Sequence, residues 1–325
     1  MTPDARPSMP NAVHQSTPVG SPHAAYAELH CLTNFTFLRG ASHPEELVER
    51  ASALGYTALA ITDECSMAGV VKAHIAAKRC QLKLIIGNEL TLEDGTKIIL
   101  LAKNRQGYGE LCHIITLARR RAKKGQYQVT LKDFKGSTEH LIAIWIPQHQ
   151  QRLEPGGRPS ALKTLFGDRL WLGAVRALDG FDHVQTEDLK AIASAHTLPI
   201  VACGDIQMHE SNRKPLLDTL CAIRHGCSVQ SAGRLLQSNA ERYLKTRAEL
   251  TELYPQQWLF NTRNIAEACT FSLDELRYEY PKELVPTHQT PASYLSSLTW
   301  AGANQRWPDG IPDTVAVQIK KELDL

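Results

Sequence analysis

Five side chains able to hold a hard divalent cation stand just past predicted strands. His30 ends one apolar run, Asp63 and Glu64 follow a second, Glu89 follows a third, and Asp205 follows a fourth with Gln207 and His209 close behind. Carboxylates grouped around an imidazole are the donor set of metal ions that act on phosphate esters. Singly, each residue also has a plainer reading as an N-cap or a loop charge. As a set at strand ends they describe a site, because the C-terminal ends of parallel strands are where an α/β fold gathers its polar groups. Cys203 lies beside this set without an obvious histidine partner, and the other cysteines read as core or surface thiols.

A second group is basic. Lys97 to Lys135 holds ten Lys/Arg and two Asp/Glu, so it carries +8; with the whole chain at +2, the remainder carries −6 (2 − 8). Arg119, Arg120, Arg121, Lys123 and Lys124 are its densest stretch and are candidates for contact with nucleic-acid phosphates or a partner protein. No aromatic residue interleaves them before Tyr127, so base-specific readout is not expected. The alternative is a solvated helix end.

The elements that must position these groups alternate. Tyr26–Leu32, Thr57–Ile61, Leu82–Ile86, a stretch within Thr91–Leu101 that follows a turn at Glu93-Asp94-Gly95-Thr96, Leu141–Ile146, Leu170–Val175 and Pro199–Cys203 read as strands. Between them lie helices. One opens at Ser42-His-Pro-Glu45, with Ser42 as N-cap, Pro44 in the first turn and Glu45 closing a capping box, and ends at Gly55. Others fall near 68–79, 108–118, 160–167 and 185–196. Pro155–Pro159 reads as a surface loop. This alternation predicts a parallel α/β sheet, open or closed as a barrel, over residues 26–210. Residues 211–325 read as mostly helical. Residues 1–25 contain five Pro and no hydrophobic period, which predicts a disordered tail.

Composition narrows the classes. At 43% hydrophobic and 22% charged residues, the 325-residue chain is neither collagen-like nor coiled-coil nor wholly disordered. No apolar run approaches the ~18 residues of a spanning helix. Eight scattered Cys without a C-x-x-C pair predict reduced thiols and a cytoplasmic setting.

Several motifs carry a resemblance. Glu28 to Ser42 is similar to the opening motif of the PHP (polymerase and histidinol phosphatase) domain. Thr62-Asp63-Glu64, Gly87-Asn88-Glu89 and Gly204-Asp205-Ile206-Gln207 resemble its later motifs, in register. Lys214–Gly226 and Phe271–Pro286 resemble segments C-terminal to that domain in bacterial polymerase III α subunits, with the greatest similarity to the error-prone, DnaE-like branch called ImuC. The resemblance covers about residues 26–325. It implies a PHP-type distorted β/α barrel, then the helical start of a polymerase body, with the palm and its magnesium ions downstream of this segment. It implies DNA as substrate, and a sliding clamp and ImuA/ImuB-type accessory proteins as partners, with no membrane. It also implies translesion synthesis after DNA damage as the parent activity.

The resemblance breaks at the metal ligands. The family's His-x-His has Leu32 at its second position, a later Asp is Arg39, the Asp-His after the second strand is Asp63-Glu64, and the closing Asp-x-His is Asp205-Ile206-Gln207. His30, Asp63, Glu64, Glu89 and Asp205 thus outline a vestigial site in which no metal is expected, and Arg39 is placed to pair with Glu64, Glu89 or Asp205. Two other readings remain. One is a metal-dependent phosphoesterase or 3′–5′ exonuclease on a reduced ligand set that includes His209; the other is a non-enzymatic DNA- or protein-binding module.

Overall fold

The computed structural model describes residues 25–136, 138–147, 157–277 and 284–324. The stretch read as a tail, up to residue 24, and the first residues of the 155–159 loop lie outside the described residues. Two compact units are present, 1–276 and 277–325.

The first unit is built on β1 (Ala27–Glu28), β2 (Ala58–Ile61), β3 (Lys83–Thr91), β4 (Lys97–Ala102), β5 (Leu141–Ile146), β6 (Leu170–Val175) and β7 (Ile200–Cys203). Among the described residues these form one sheet in the order β1 to β7. Its helices are α1 (Pro44–Ala53), α2 (Val70–Cys80), α3 (Arg105–Arg121), α4 (Arg158–Phe166), α5 (Asp182–His196), α6 (Lys214–Arg224), α7 (Val229–Ala232), α8 (Arg247–Leu253) and α9 (Gln256–Ala268). The alternation predicts a parallel sheet, but the sheet is mixed. β3 pairs with β4, and β4 with β5, antiparallel. The cause is the connection between β3 and β4, a tight turn in which the Leu92 and Thr96 backbones bond at 2.8 Å, too short for a crossover helix.

Side chains alternate across the sheet with period 2. Leu59, Ile61, Ile98, Leu100, Ala143 and Trp145 face the helices. Ala58, Ala60, Ile99, Leu101, Ile142 and Ile144 face inward, and the small residues among them let the strands curl together. Ile265 and Ala266 of α9, and Cys269 just after it, pack into this inner set. Thr262 Oγ1 accepts from Ala27 N at 3.1 Å and Asn261 Nδ2 donates to Ile200 O at 2.7 Å, so α9 closes the end where β1 and β7 begin. For that reason the first unit runs to Leu276, whereas the sequence pattern places a boundary near residue 210.

The sheet closes where β1 and β7 run out. Cys31 and Ile206 form a parallel bridge, with Leu32 N to Ile206 O at 2.8 Å and Ile206 N to His30 O at 2.9 Å. Glu28 locks this seam. Its Oε1 accepts from the backbone N–H groups of Leu29, His30 and Gly204 at 2.9–3.0 Å, and its Oε2 accepts from Tyr26 OH at 2.9 Å. Position 204 must be glycine, since a Cβ there would lie 2.4 Å from Glu28 Oε2.

α1 begins one residue later than Ser42-His-Pro-Glu45 predicts. His43 is the N-cap, Pro44 is N1, and Glu46 rather than Glu45 accepts from His43 N at 2.8 Å. Ser42 is drawn away to His209, whose Nδ1 lies 2.8 Å from its Oγ. In the second unit, α10 (Pro291–Arg306) is capped by Thr290, whose side chain accepts from Ser293 N, and α11 (Asp313–Leu323) follows Pro312.

Glu28→Ala would strand four buried donors at the seam. An expected loss of about 3–5 kcal/mol in urea denaturation follows, with Glu28→Gln losing clearly less because its amide oxygen still accepts.

Candidate functional site

At the end of the barrel where β1 and β7 run out, a charged cluster forms around Glu89. β3 carries Glu89 on its inward face, two pleats beyond Ile85, and β4 carries Lys97 on the same side as Ile99. His30 and Asp205 arrive on the two segments that close the seam, and the non-glycine Asp205 takes φ 46° to do so. Glu89 therefore lies within β3, where the sequence pattern sets it after a shorter strand.

Every oxygen of Glu89 is engaged. His30 Nε2 is 2.7 Å and Lys97 Nζ 3.3 Å from Oε2, and Arg39 Nη1 donates to Oε1 at 2.7 Å. The same Arg39 nitrogen also bonds Glu64 Oε2. Arg39 thus joins Glu64 and Glu89, and its hydrogen bonds do not extend to Asp205. Asp205 pairs through Oδ2 with Arg242 instead. Its Oδ1 lies 3.6 Å from His30 Nε2 and is buried without a hydrogen-bond partner, as is His30 Nδ1.

Burial sets the direction of each titration. It pushes the Glu89 carboxyl up, but Lys97, His30 and Arg39 outweigh it and hold Glu89 well below the usual carboxylate range. Burial lowers His30, only partly opposed by Glu89, so the imidazole is neutral. Burial also lowers Lys97, with Glu89 opposing.

The other sequence candidates divide. Asp63 does not join the cluster: Thr33 N and Thr36 Oγ1 donate to its Oδ1 at 2.8 and 2.7 Å, and Thr33 Oγ1 donates to its Oδ2 at 2.8 Å, so it anchors the 33–36 turn. Burial raises its pKa against those bonds. Glu64 reaches the cluster through Arg39 and accepts from Tyr127 OH at 2.8 Å. Leu32 is fully buried. Gln207 lies nearby with its Oε1 bound to Gln237 Nε2 at 2.6 Å. His209 is held by Ser42, away from Glu89, so it adds nothing to a reduced metal set. Cys203 is buried, and burial pushes its thiol well up, which leaves it unreactive.

The basic stretch at the end of α3 is also split. Arg119 is turned inward: its Nε donates to Cys65 O at 3.1 Å, its Nη2 donates to Glu64 O at 3.3 Å, and its guanidinium lies over the Tyr127 ring. Arg121 holds Asp133 with two bonds of 2.8 Å. Arg120, Lys123 and Lys124 are exposed.

Lys97 and Arg242 carry no mark as site residues in the sequence. Lys97 is inside the basic window, but only the pleat of β4 reveals that it turns inward. Arg242 is more than thirty residues past Asp205, and no local pattern links them.

His30, Glu89 and Asp205 bring one donor atom each to within 4.8 Å of one another, the geometry of a possible metal triad. That triad shares its space with three cationic side chains. A divalent ion there would compete with Arg39 and Lys97 for Glu89 and with Arg242 for Asp205.

Residues 28–159 match the PHP domain family. The chain is 49% identical over 306 residues to an error-prone DNA polymerase of Methylococcus capsulatus, covering 94% of this chain and 29% of that protein. It is 50% identical over 317 residues to one from Bordetella parapertussis, covering 92% and 30%. With one from Pseudomonas aeruginosa it shares 47% over 303 residues, covering 93% and 29%. The chain therefore spans about three-tenths of the length of the curated relatives it matches. Among solved structures it is similar to a chain described as a metal-dependent phosphoesterase from Bifidobacterium adolescentis, at 19% identity and TM-score 0.39 over 57% of this chain and 88% of that one. An amidohydrolase from Chromobacterium violaceum gives 16% and 0.38 over the same shares. Residues 28–159 are thus similar to the PHP domain family, and the chain is similar to part of the error-prone DNA polymerases.

Arg39→Ala would leave a fully buried carboxylate short of its counter-ion, at an expected cost of about 3–5 kcal/mol near pH 7. Glu89 is depressed in the folded protein. The stability it gains from Arg39 is therefore complete above the ordinary value of 4.5 and lost as pH falls through the lower folded value. Urea denaturation of wild type and Arg39→Ala should show the gap narrowing as pH drops from 7 to about 3.5.

Proposed function

We propose that this chain is the PHP-bearing segment of an error-prone DNA polymerase, and that its barrel supports the polymerase body and partner proteins without hydrolysing phosphate esters. The parent reaction is template-directed DNA synthesis across damage. Its magnesium-binding palm residues belong to the part of the relatives that this chain does not cover. DNA is the substrate of that parent enzyme, and a sliding clamp and ImuA/ImuB-type proteins are the proposed partners.

The observation that carries the non-hydrolytic reading is the occupation of Glu89. A hydrolytic metal centre needs several anionic or imidazole donors free to turn toward the ions. Here both Glu89 oxygens and one Asp205 oxygen face cationic side chains, Leu32 offers no donor, and the Gln207 oxygen is bound by Gln237. This donor set does not fit a multinuclear metal site. Arg39, Lys97 and Arg242 supply the positive charge that metal ions would otherwise bring.

The convergence of His30, Glu89 and Asp205 favours a second reading, a phosphoesterase or 3′–5′ exonuclease working with one bound ion. Protein purified without chelator decides between them. The first reading expects no stoichiometric manganese, zinc or magnesium by elemental analysis and no shortening of a single-stranded DNA 3′ end. Metal at one ion per chain, with hydrolysis that vanishes in Glu89→Ala, would establish the second.

Arg120, Lys123 and Lys124 are the residues left to meet DNA phosphates, since Arg119 is turned inward and the exposed Arg121 is spent on Asp133. Replacing the three with Ala should weaken DNA binding of the chain and lower its salt slope by about 2–3. Replacing Arg119 instead should act on stability. An unchanged slope in the triple variant would make this surface a solvated face.

A further inference from the structure

Beside the charged cluster lies a cavity of about 450 Å³, within the size range of small-ligand sites. Arg39, Lys97 and Arg242 line it. Each spends only part of its bonding capacity on carboxylates: Arg39 and Arg242 use Nη1, and Lys97 makes one contact at 3.3 Å. All three side chains line the cavity and keep some exposure, 15% for Arg39, 17% for Lys97 and 26% for Arg242, so two guanidinium forks beside an ammonium form a receptor for the oxygens of a phosphate.

The remaining wall is of two kinds. Ile146, Pro147, Leu189, Ile192 and Trp258 supply an apolar surface. Asp179, Asp188 and Asp205 also line the cavity, and the Oδ1 of Asp205 is buried with no partner. Such acceptors disfavour a bare polyanion and suit a ligand that also offers hydroxyl or amino donors. We propose that the cavity binds a phosphorylated small molecule of nucleoside-monophosphate size, with its phosphate on Arg39, Lys97 and Arg242, its ring on the apolar wall and a hydroxyl or amino group on Asp205. This inference rests on the metal-free reading above, because the phosphate meets side-chain cations instead of metal ions.

The test is equilibrium dialysis of labelled deoxyadenosine monophosphate against the chelator-treated 325-residue chain, with deoxyadenosine measured in parallel. The expected result is saturable one-site binding without metal, at least tenfold weaker for deoxyadenosine and at least tenfold weaker in Lys97→Met. Gln185→Glu is the companion variant. Gln185 lines the cavity in the first turn of α5, where a carboxylate suits the helix, so this change adds a repelling charge without removing a partner from Glu89. It too should weaken binding at least tenfold with an unchanged circular dichroism spectrum, and it decides the matter if Lys97→Met fails to fold. Equal affinity for deoxyadenosine, or unaltered affinity in Gln185→Glu, overturns the inference. Absence of binding with or without added manganese overturns it and leaves the metal-free reading intact. Binding that requires manganese and is lost in Glu89→Gln overturns both.

Discussion

The barrel depends on how a buried carboxylate is kept charged. Glu89 projects from a central strand into the barrel interior and is fully buried, where an unpaired carboxylate would cost several kcal/mol or take up a proton. It stays ionised because three nitrogens from three different segments converge on it: His30 at the closing seam, Arg39 from the loop before α1, and Lys97 from the neighbouring strand. The bond partners are far apart in sequence, so the cluster ties the β1 end, the 33–39 turn and the β3–β4 hairpin to one point. Arg39 extends the tie to Glu64, and Tyr127 extends it again to the segment after α3.

A second buried carboxylate works differently. Glu28 has no cation within bonding distance and is satisfied by three backbone N–H groups and a tyrosine hydroxyl. Its role is geometric: it replaces ladder bonds that β1, only two residues long, is too short to make with β7. Asp63 is a third solution, held by threonine hydroxyls and a backbone N–H. The three acids differ in what they leave available. Glu28 and Asp63 are saturated by neutral donors and fixed in place. Glu89 and Asp205 are balanced by long flexible cations that keep further donors toward the cavity.

Much of the fold was legible in the sequence because its signals are local. Short continuous apolar runs mark β2, β5, β6 and β7, and Pro44 with a nearby glutamate marks the start of α1. The turn at Glu93–Thr96 was legible, but the antiparallel direction it imposes on β4 was lost in the all-parallel reading drawn from the strand–helix alternation. Nor was the true N-cap, because Ser42 has a distant competitor in His209. In the site, Leu32, Arg39 and Gln207 stand where the motif resemblance puts ligands and could be read in order. Lys97 and Arg242 could not, since nothing in their neighbourhoods records that they face Glu89 and Asp205. The five-residue basic stretch shows the same limit: charge is visible in sequence, but whether a guanidinium meets solvent, as Arg120 does, or a backbone carbonyl, as Arg119 does, is decided by which face of α3 it occupies.

On the proposed reading, exchanging metal ions for side-chain cations changes more than catalysis. A metal ion is a removable counter-charge, so a barrel that relies on one gains stability only in proportion to ion supply. A guanidinium on the chain is present at fixed stoichiometry and cannot be chelated. It also cannot polarise a water to hydroxide, because it has no coordination position to offer and stays protonated. The same substitution that secures the carboxylates therefore removes the means to generate a nucleophile, while leaving positive charge beside a cavity. What such an end can still do is hold an anion without cleaving it. On that reading the chemistry of the parent protein lies in its polymerase region, and support and binding are the tasks left to this barrel.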